Sequence, residues 1–187
     1  MRFWLQLSRA IDSLNEAIGR FIGWLTLAMV LVGAYNTVVR YLGGAIGRNL
    51  SSNAYVEAQW YLFSLVFLFG ASYAFRRNAH VRVDLVYGRL TERARAWVDL
   101  IGTLLLMLPF TLFALWVSWP SVRNSWSVRE VSPDPGGLAR YPITTMILLA
   151  LALLALQGIS HAIRQIAVLT GERSKQDAEE ARQEVRL

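Results

Sequence analysis

Residues 141–163, YPITTMILLALALLALQGISHAI, run for 23 positions without an aspartate, glutamate, lysine or arginine. A hydrocarbon core of about 30 Å needs roughly 20 helical residues, so this stretch is long enough to cross a bilayer. Three more runs share the property, at 21–39, 58–75 and 100–122. None alternates with period two, which argues against barrel strands. The fold class expected is all-α: an integral membrane protein with four transmembrane helices, over about 21–39, 55–75, 97–119 and 141–163. They form a membrane domain of residues 1–169, followed by a charged cytoplasmic tail at 170–187.

Composition agrees. Of the 187 residues, 55% are hydrophobic and 17% charged, against roughly 25% charged in a soluble domain. There is no cysteine, which excludes disulfides, thiolate metal sites, iron–sulfur clusters and thiol catalysis. Two histidines leave little for a metal centre. The first apolar run starts after 20 mostly amphipathic residues and is longer than a signal-peptide core, so it reads as a retained span.

The flanking charges orient the spans. Of the 19 bases, 18 are arginine. With both termini inside, 14 basic residues fall on the cytoplasmic side and 5 outside; the inverted topology reverses the bias. Both termini and the middle loop are therefore expected in the cytoplasm. The net charge of +6 is explained by topology and contact with anionic lipids, with no part for nucleic acid.

Outside the spans, Trp4, Leu7, Ile11, Leu14, Ile18 and Phe21 recur at helical spacing. This predicts an N-terminal amphipathic helix lying in the cytoplasmic interface, either an anchor or a docking helix for a larger membrane partner. Asn53 is the expected cap of the second helix, with Glu57 in its first turn. Asn49-Leu50-Ser51 is a formal glycosylation sequon. In the cytoplasmic loop, Arg76, His80, Arg82 and Asp84 read as headgroup-level polar groups. Thr91 is placed to cap the third helix, and Arg95 to pair with Asp99 four residues on. The outer loop, residues 120–140, contains Pro133-Asp134-Pro135-Gly136-Gly137, a strong turn signal. Trp116, Trp119, Trp126 and Tyr141 suit an outer aromatic belt.

Intramembrane chemistry is sparse. His161 is the one ionisable group inside the four runs, where transporters and pumps usually show several. Asn36 and Gln157 read as helix–helix glue, and Gly19/Gly23 and Gly70/Ala74 as close-packing pairs. Pro109 is expected to bend the third span. His80 and His161 are conceivable axial ligands of a b-type haem, so a cytochrome b-like redox subunit is one alternative; a self-contained small transporter is another. No cofactor or metal site is expected.

Four stretches carry a family resemblance: Glu57-Ala58-Gln59-Trp60-Tyr61-Leu62-Phe63; residues 70–84, GASYAFRRNAHVRVD; Asp99-Leu100-Ile101-Gly102 leading to Leu108-Pro109-Phe110; and Ser125-Trp126, Glu130 and residues 132–138, SPDPGGL. From about Ile11 to Ile166 the chain resembles the small membrane subunit (Q subunit, DctQ-like) of tripartite ATP-independent periplasmic (TRAP) transporters. The resemblance implies no enzyme. It implies a small permease subunit in a bacterial inner membrane, beside a large multi-span permease that carries the ion and substrate sites. A periplasmic substrate-binding protein completes the system, which takes up organic acids by symport. The small subunit is then part of the fixed scaffold. The Asp-Pro-Gly-Gly loop looks most like the branch for oxo acids and similar monocarboxylates, although Ala139 stands where relatives often place a proline. Trp4, Leu7, Ile11, Glu57, Trp60, Arg123, Arg129, Glu130 and Asp134 are the candidate partner interface. Arg76, His80, Arg82, Asp84 and Asp99 are a candidate cytoplasmic structural motif.

Overall fold

The computed structural model describes residues 2–48, 50–79 and 87–171. Among these, regular structure is helical apart from one isolated antiparallel bridge between Val131 and Ala139. Four helices are long and apolar enough to cross a membrane. We number them α1 (Arg2–Ala45), α2 (Asn53–Arg76), α3 (Glu92–Ser127) and α4 (Tyr141–Leu169). His80, Arg82 and Asp84 of the α2–α3 loop, sequon residue Asn49 and most of the charged tail lie outside the described residues.

Helix α1 departs from expectation. Its 44 residues form one helix, about 66 Å long at 1.5 Å per residue. The N-terminal segment is continuous with the first span rather than a separate interfacial helix. No proline or polar cap interrupts the chain around Arg20, and Gly19 fits tightly beneath the Tyr73 ring of α2. Gly23, its partner in the glycine pair, faces open space, as does Gly70.

Helix starts follow capping chemistry. Ser52, not Asn53, caps α2, accepting from the Ala54 amide at 3.2 Å. Asn53 is drawn away because its side-chain amide donates to the Pro135 carbonyl at 3.0 Å. Thr91 caps α3 as its position predicts, accepting from Ala94 N–H, and Glu92 adds charge favourable to the helix dipole.

Two prolines shape α3. Pro109 has no N–H to return to the preceding turn. The turn before it widens into a π-helical segment, Thr103–Met107, closed by the Leu108 amide on the Thr103 carbonyl. This places Met107 and Leu108 over Gly158 of α4, where a Cβ would meet the Met107 sulfur at 2.7 Å. Pro120 does not end the helix, which continues to Ser127. Prolines are tolerated in membrane helices where neighbouring groups satisfy the freed carbonyls. The loop between α3 and α4 is therefore residues 128–140, shorter than the sequence suggests.

Helix α4 packs against all three others, and α1 lies along α2. The interior is small and partly polar. Its apolar members include Ala96, Ala150, Ala155, Ala162 and Ala167, beside buried Ser8, Asn15, Ser72, Thr111, Gln157 and Ser160. The large side chains Trp24, Phe67, Leu106, Phe110 and Trp116 point outward. In a bilayer, lipid tails are as apolar as leucine, so helices associate through small residues and hydrogen bonds instead.

Candidate functional site

At the end of the bundle that holds the N-terminus, polar side chains of α1 lie against α4. Ser8, Asp12 and Asn15 (i, i+4, i+7) meet Ser160, Arg164 and Gln157. The spacing puts each triplet on one helix face. Asp12 is the hub. One carboxylate oxygen accepts from Gln157 at 2.9 Å and from the Ser160 hydroxyl at 2.8 Å; the other accepts from Arg164 at 2.9 Å. Asn15 donates to Gln157 at 2.7 Å, and the Ser8 and Ser160 hydroxyls lie 2.8 Å apart. One helical turn past Asp12, Glu16 ion-pairs with both Arg76 and Arg77 of α2.

Gln157 thus takes the helix-bonding role its sequence position suggests. Ser8, Asp12 and Asn15 were not apparent in sequence, although their own helical spacing was a usable signal. The apolar stripe is not a buried face: Trp4, Leu14 and Phe21 face outward and Ile11 is buried, while Ser8, Asp12, Asn15 and Glu16 turn towards the protein and Gln6, Arg9, Ser13 and Arg20 are exposed.

A second polar lock closes the opposite end, between α2 and the α3–α4 loop. Glu57 is 5% exposed, one turn into α2. Its carboxylate accepts from the Ser132 hydroxyl and, at 2.5 Å, from the Leu138 amide. The loop is shaped to reach it. Ser132 N–H bonds to the Leu138 carbonyl, and Gly137 N–H to the Asp134 carbonyl. Gly136 holds φ +74°, a left-handed conformation that costs glycine little. A Cβ on Gly137 would crowd Ser132 and Glu57. The Tyr61 hydroxyl adds a bond to the Ala139 carbonyl at 3.2 Å. Trp126 packs edge-on against Tyr141 and donates to Thr145.

The candidate interface residues therefore separate. Glu57 and Ile11 are buried and serve the fold. Trp60 is 65% exposed, and Trp4 and Leu7 are exposed on the N-terminal half of α1. Arg123, Arg129 and Asp134 are exposed around the α3–α4 loop, and Glu130 faces Arg140 across 3.9 Å.

Of the cytoplasmic motif, Arg76 is committed to Glu16, and Asp99 accepts from the Tyr87 hydroxyl at 2.7 Å. Arg95 binds the Tyr87 and Gly88 carbonyls. His161 is buried, edge-on to the Phe75 ring at 5.0 Å and 3.2 Å from the Gln165 amide. Among the described residues, no three His, Asp or Glu side chains gather as metal ligands.

The arrangement can hold helices and a loop in fixed positions and offer partners a broad apolar surface. No curated protein and no solved structure matches the chain. Residues 29–168 match the family described as tripartite ATP-independent periplasmic transporters, DctQ component. That match spans three quarters of the chain, which therefore belongs to the DctQ family, the small permease component of TRAP transporters.

Proposed function

We propose that this chain is the stationary membrane subunit of an organic-acid uptake system. It pairs with a large multi-span permease and serves a periplasmic substrate-binding protein, in a bacterial inner membrane with both termini cytoplasmic. One observation carries the reading: the polar side chains that bridge distant elements among the described residues serve assembly. Asp12, Asn15 and Gln157 bind helix to helix, and Glu57 binds loop to helix. The groove between α1, α2 and α4 is walled by apolar side chains. Such a chain supplies shape and surface, and the ion and substrate sites fall to the large subunit. Ion-driven symport is part of this proposal on the strength of the family membership alone.

The outer loop is the proposed seat of the binding protein. The Glu57 lock supports this by holding the turn that carries the exposed Asp134; Arg123 and Arg129 are exposed at the end of α3 and just after it. Complementary charge at such a surface steers association.

Reconstitution tests the reading. Liposomes holding this chain alone are expected to show no uptake of a panel of carboxylates. Adding the large permease and binding protein restores it for one class. Carboxylate flux through this chain alone contradicts the proposal.

A further inference from the structure

Five of the described residues hold a positive φ: Gly47, Gly136, Gly171, Asn78 and Arg129. Glycine enters this region without steric cost, and asparagine tolerates it better than other residues do. Arg129, at φ +47°, is the exception. Its position demands the conformation. Val128 caps the C-terminus of α3. The Arg129 amide then bonds to the Trp126 carbonyl at 3.2 Å, and the Glu130 amide to the Ser125 carbonyl at 2.9 Å. In this closing turn the residue after the cap is left-handed and is most often glycine. The turn sends the chain into a short antiparallel pairing, with Arg140 N–H on the Glu130 carbonyl and Ser132 N–H on the Leu138 carbonyl.

Glycine would serve that backbone better, so what arginine adds is its side chain. That side chain is exposed, and it forms no ion pair or hydrogen bond with the described residues. The neighbouring acid, Glu130, faces Arg140. A positive charge at a helix C-terminus is favourable, but for an exposed group by less than the left-handed conformation costs. Strain kept without a return inside the fold points to use elsewhere.

The surroundings fit a contact with another protein. Val128 and Val131, on either side in sequence, are 63% and 64% exposed. Irregular backbone does not stand free in hydrocarbon, so these apolar side chains face water or headgroups. An arginine among exposed apolar groups is a frequent centre of binding energy at protein interfaces, and its planar fork matches a carboxylate. We propose that Arg129 anchors the docking surface: its guanidinium receives a carboxylate of the substrate-binding protein, and Val128 and Val131 pack around that pair. The inference rests on the functional reading above, in which this loop seats the binding protein.

The test compares Arg129→Gly with Arg129→Ala. Thermal unfolding is followed on the purified full chain, and affinity for the binding protein on its complex with the large permease. Both variants should bind about tenfold more weakly, as loss of an interface anchor requires. Only Arg129→Gly should also gain stability, by about 2–4 °C, because alanine keeps the strained conformation. No gain in stability for Arg129→Gly overturns the proposal, since the arginine then serves the fold. Unaltered affinity in both variants overturns it too, while binding by the unsubstituted complex leaves the functional reading standing. No binding by the unsubstituted complex ends both.

Discussion

Asp12 and Arg164 lie 152 positions apart in the chain and meet at 2.9 Å where the N-terminal half of α1 crosses α4. The Asp12 carboxylate also collects Gln157 and Ser160, so it is the common acceptor of the first lock. Asp12→Ala leaves three donors without their acceptor. Removing one partner of a fully buried pair costs about 3–5 kcal/mol. Arg164 is 31% exposed and can turn to water, so a smaller loss of about 2 kcal/mol is expected. Thermal unfolding of the purified chain measures it. Because the two residues share one contact, Asp12→Ala and Arg164→Ala should be less than additive in combination. Full additivity rejects the hub role.

The second lock makes a local prediction. Glu57→Gln keeps the size of the side chain but removes the charge that accepts from both Ser132 and Leu138. Hydrogen bonds to charged groups contribute about 1.5–3 kcal/mol, so exchange of the Leu138 amide should accelerate about tenfold or more. Amides in the middle of α2 and α4 should be unchanged. Uniform acceleration across the helices means that Glu57 supports the whole bundle, not this loop.

The widened turn in α3 explains a close approach. Gly158→Val introduces atoms where Met107 and Leu108 already sit. Overpacking of this kind costs about 1–3 kcal/mol. Adding Met107→Ala should return part of the loss, because it vacates the space the new side chain needs. Failure of this rescue places the strain elsewhere in the helix pair.

These contacts show what was legible in the sequence. The four spans were, because a charge-free run of bilayer length has few other uses in this composition. The turn at Pro133–Gly137 was also legible, since Gly136 supplies the left-handed residue and Gly137 the space that Glu57 needs. The inward-facing, half-buried Asp12 was not. A helical wheel finds two faces but does not say which one is inside. In water the apolar face turns inward; where lipid surrounds the protein, the polar face seeks protein partners instead. Pro120 misled for a related reason: a proline that ends most soluble helices sits within α3. Glu57 read as a first-turn acid and a candidate partner contact, not as the anchor of a loop, because Ser132 and Leu138 are more than 70 residues away.

The outer loop has a functional prediction that follows from the proposed function. Charge reversal at Arg123 and Arg129 should weaken docking of the binding protein about tenfold or more at low salt, with a smaller effect at high salt. Surface-immobilised membrane complex and soluble binding protein give the affinity directly. Unchanged affinity removes this loop from the docking surface, while leaving the scaffold role untouched.

The central claim is that this chain is built to stand beside a larger permease. Its most direct test is a mild-detergent pull-down of the tagged full-length chain from its native membrane, with mass spectrometry of the proteins retained. The account predicts a large multi-span permease in near-equal amount. Recovery of this chain alone, or with redox proteins in place of a permease, would contradict it.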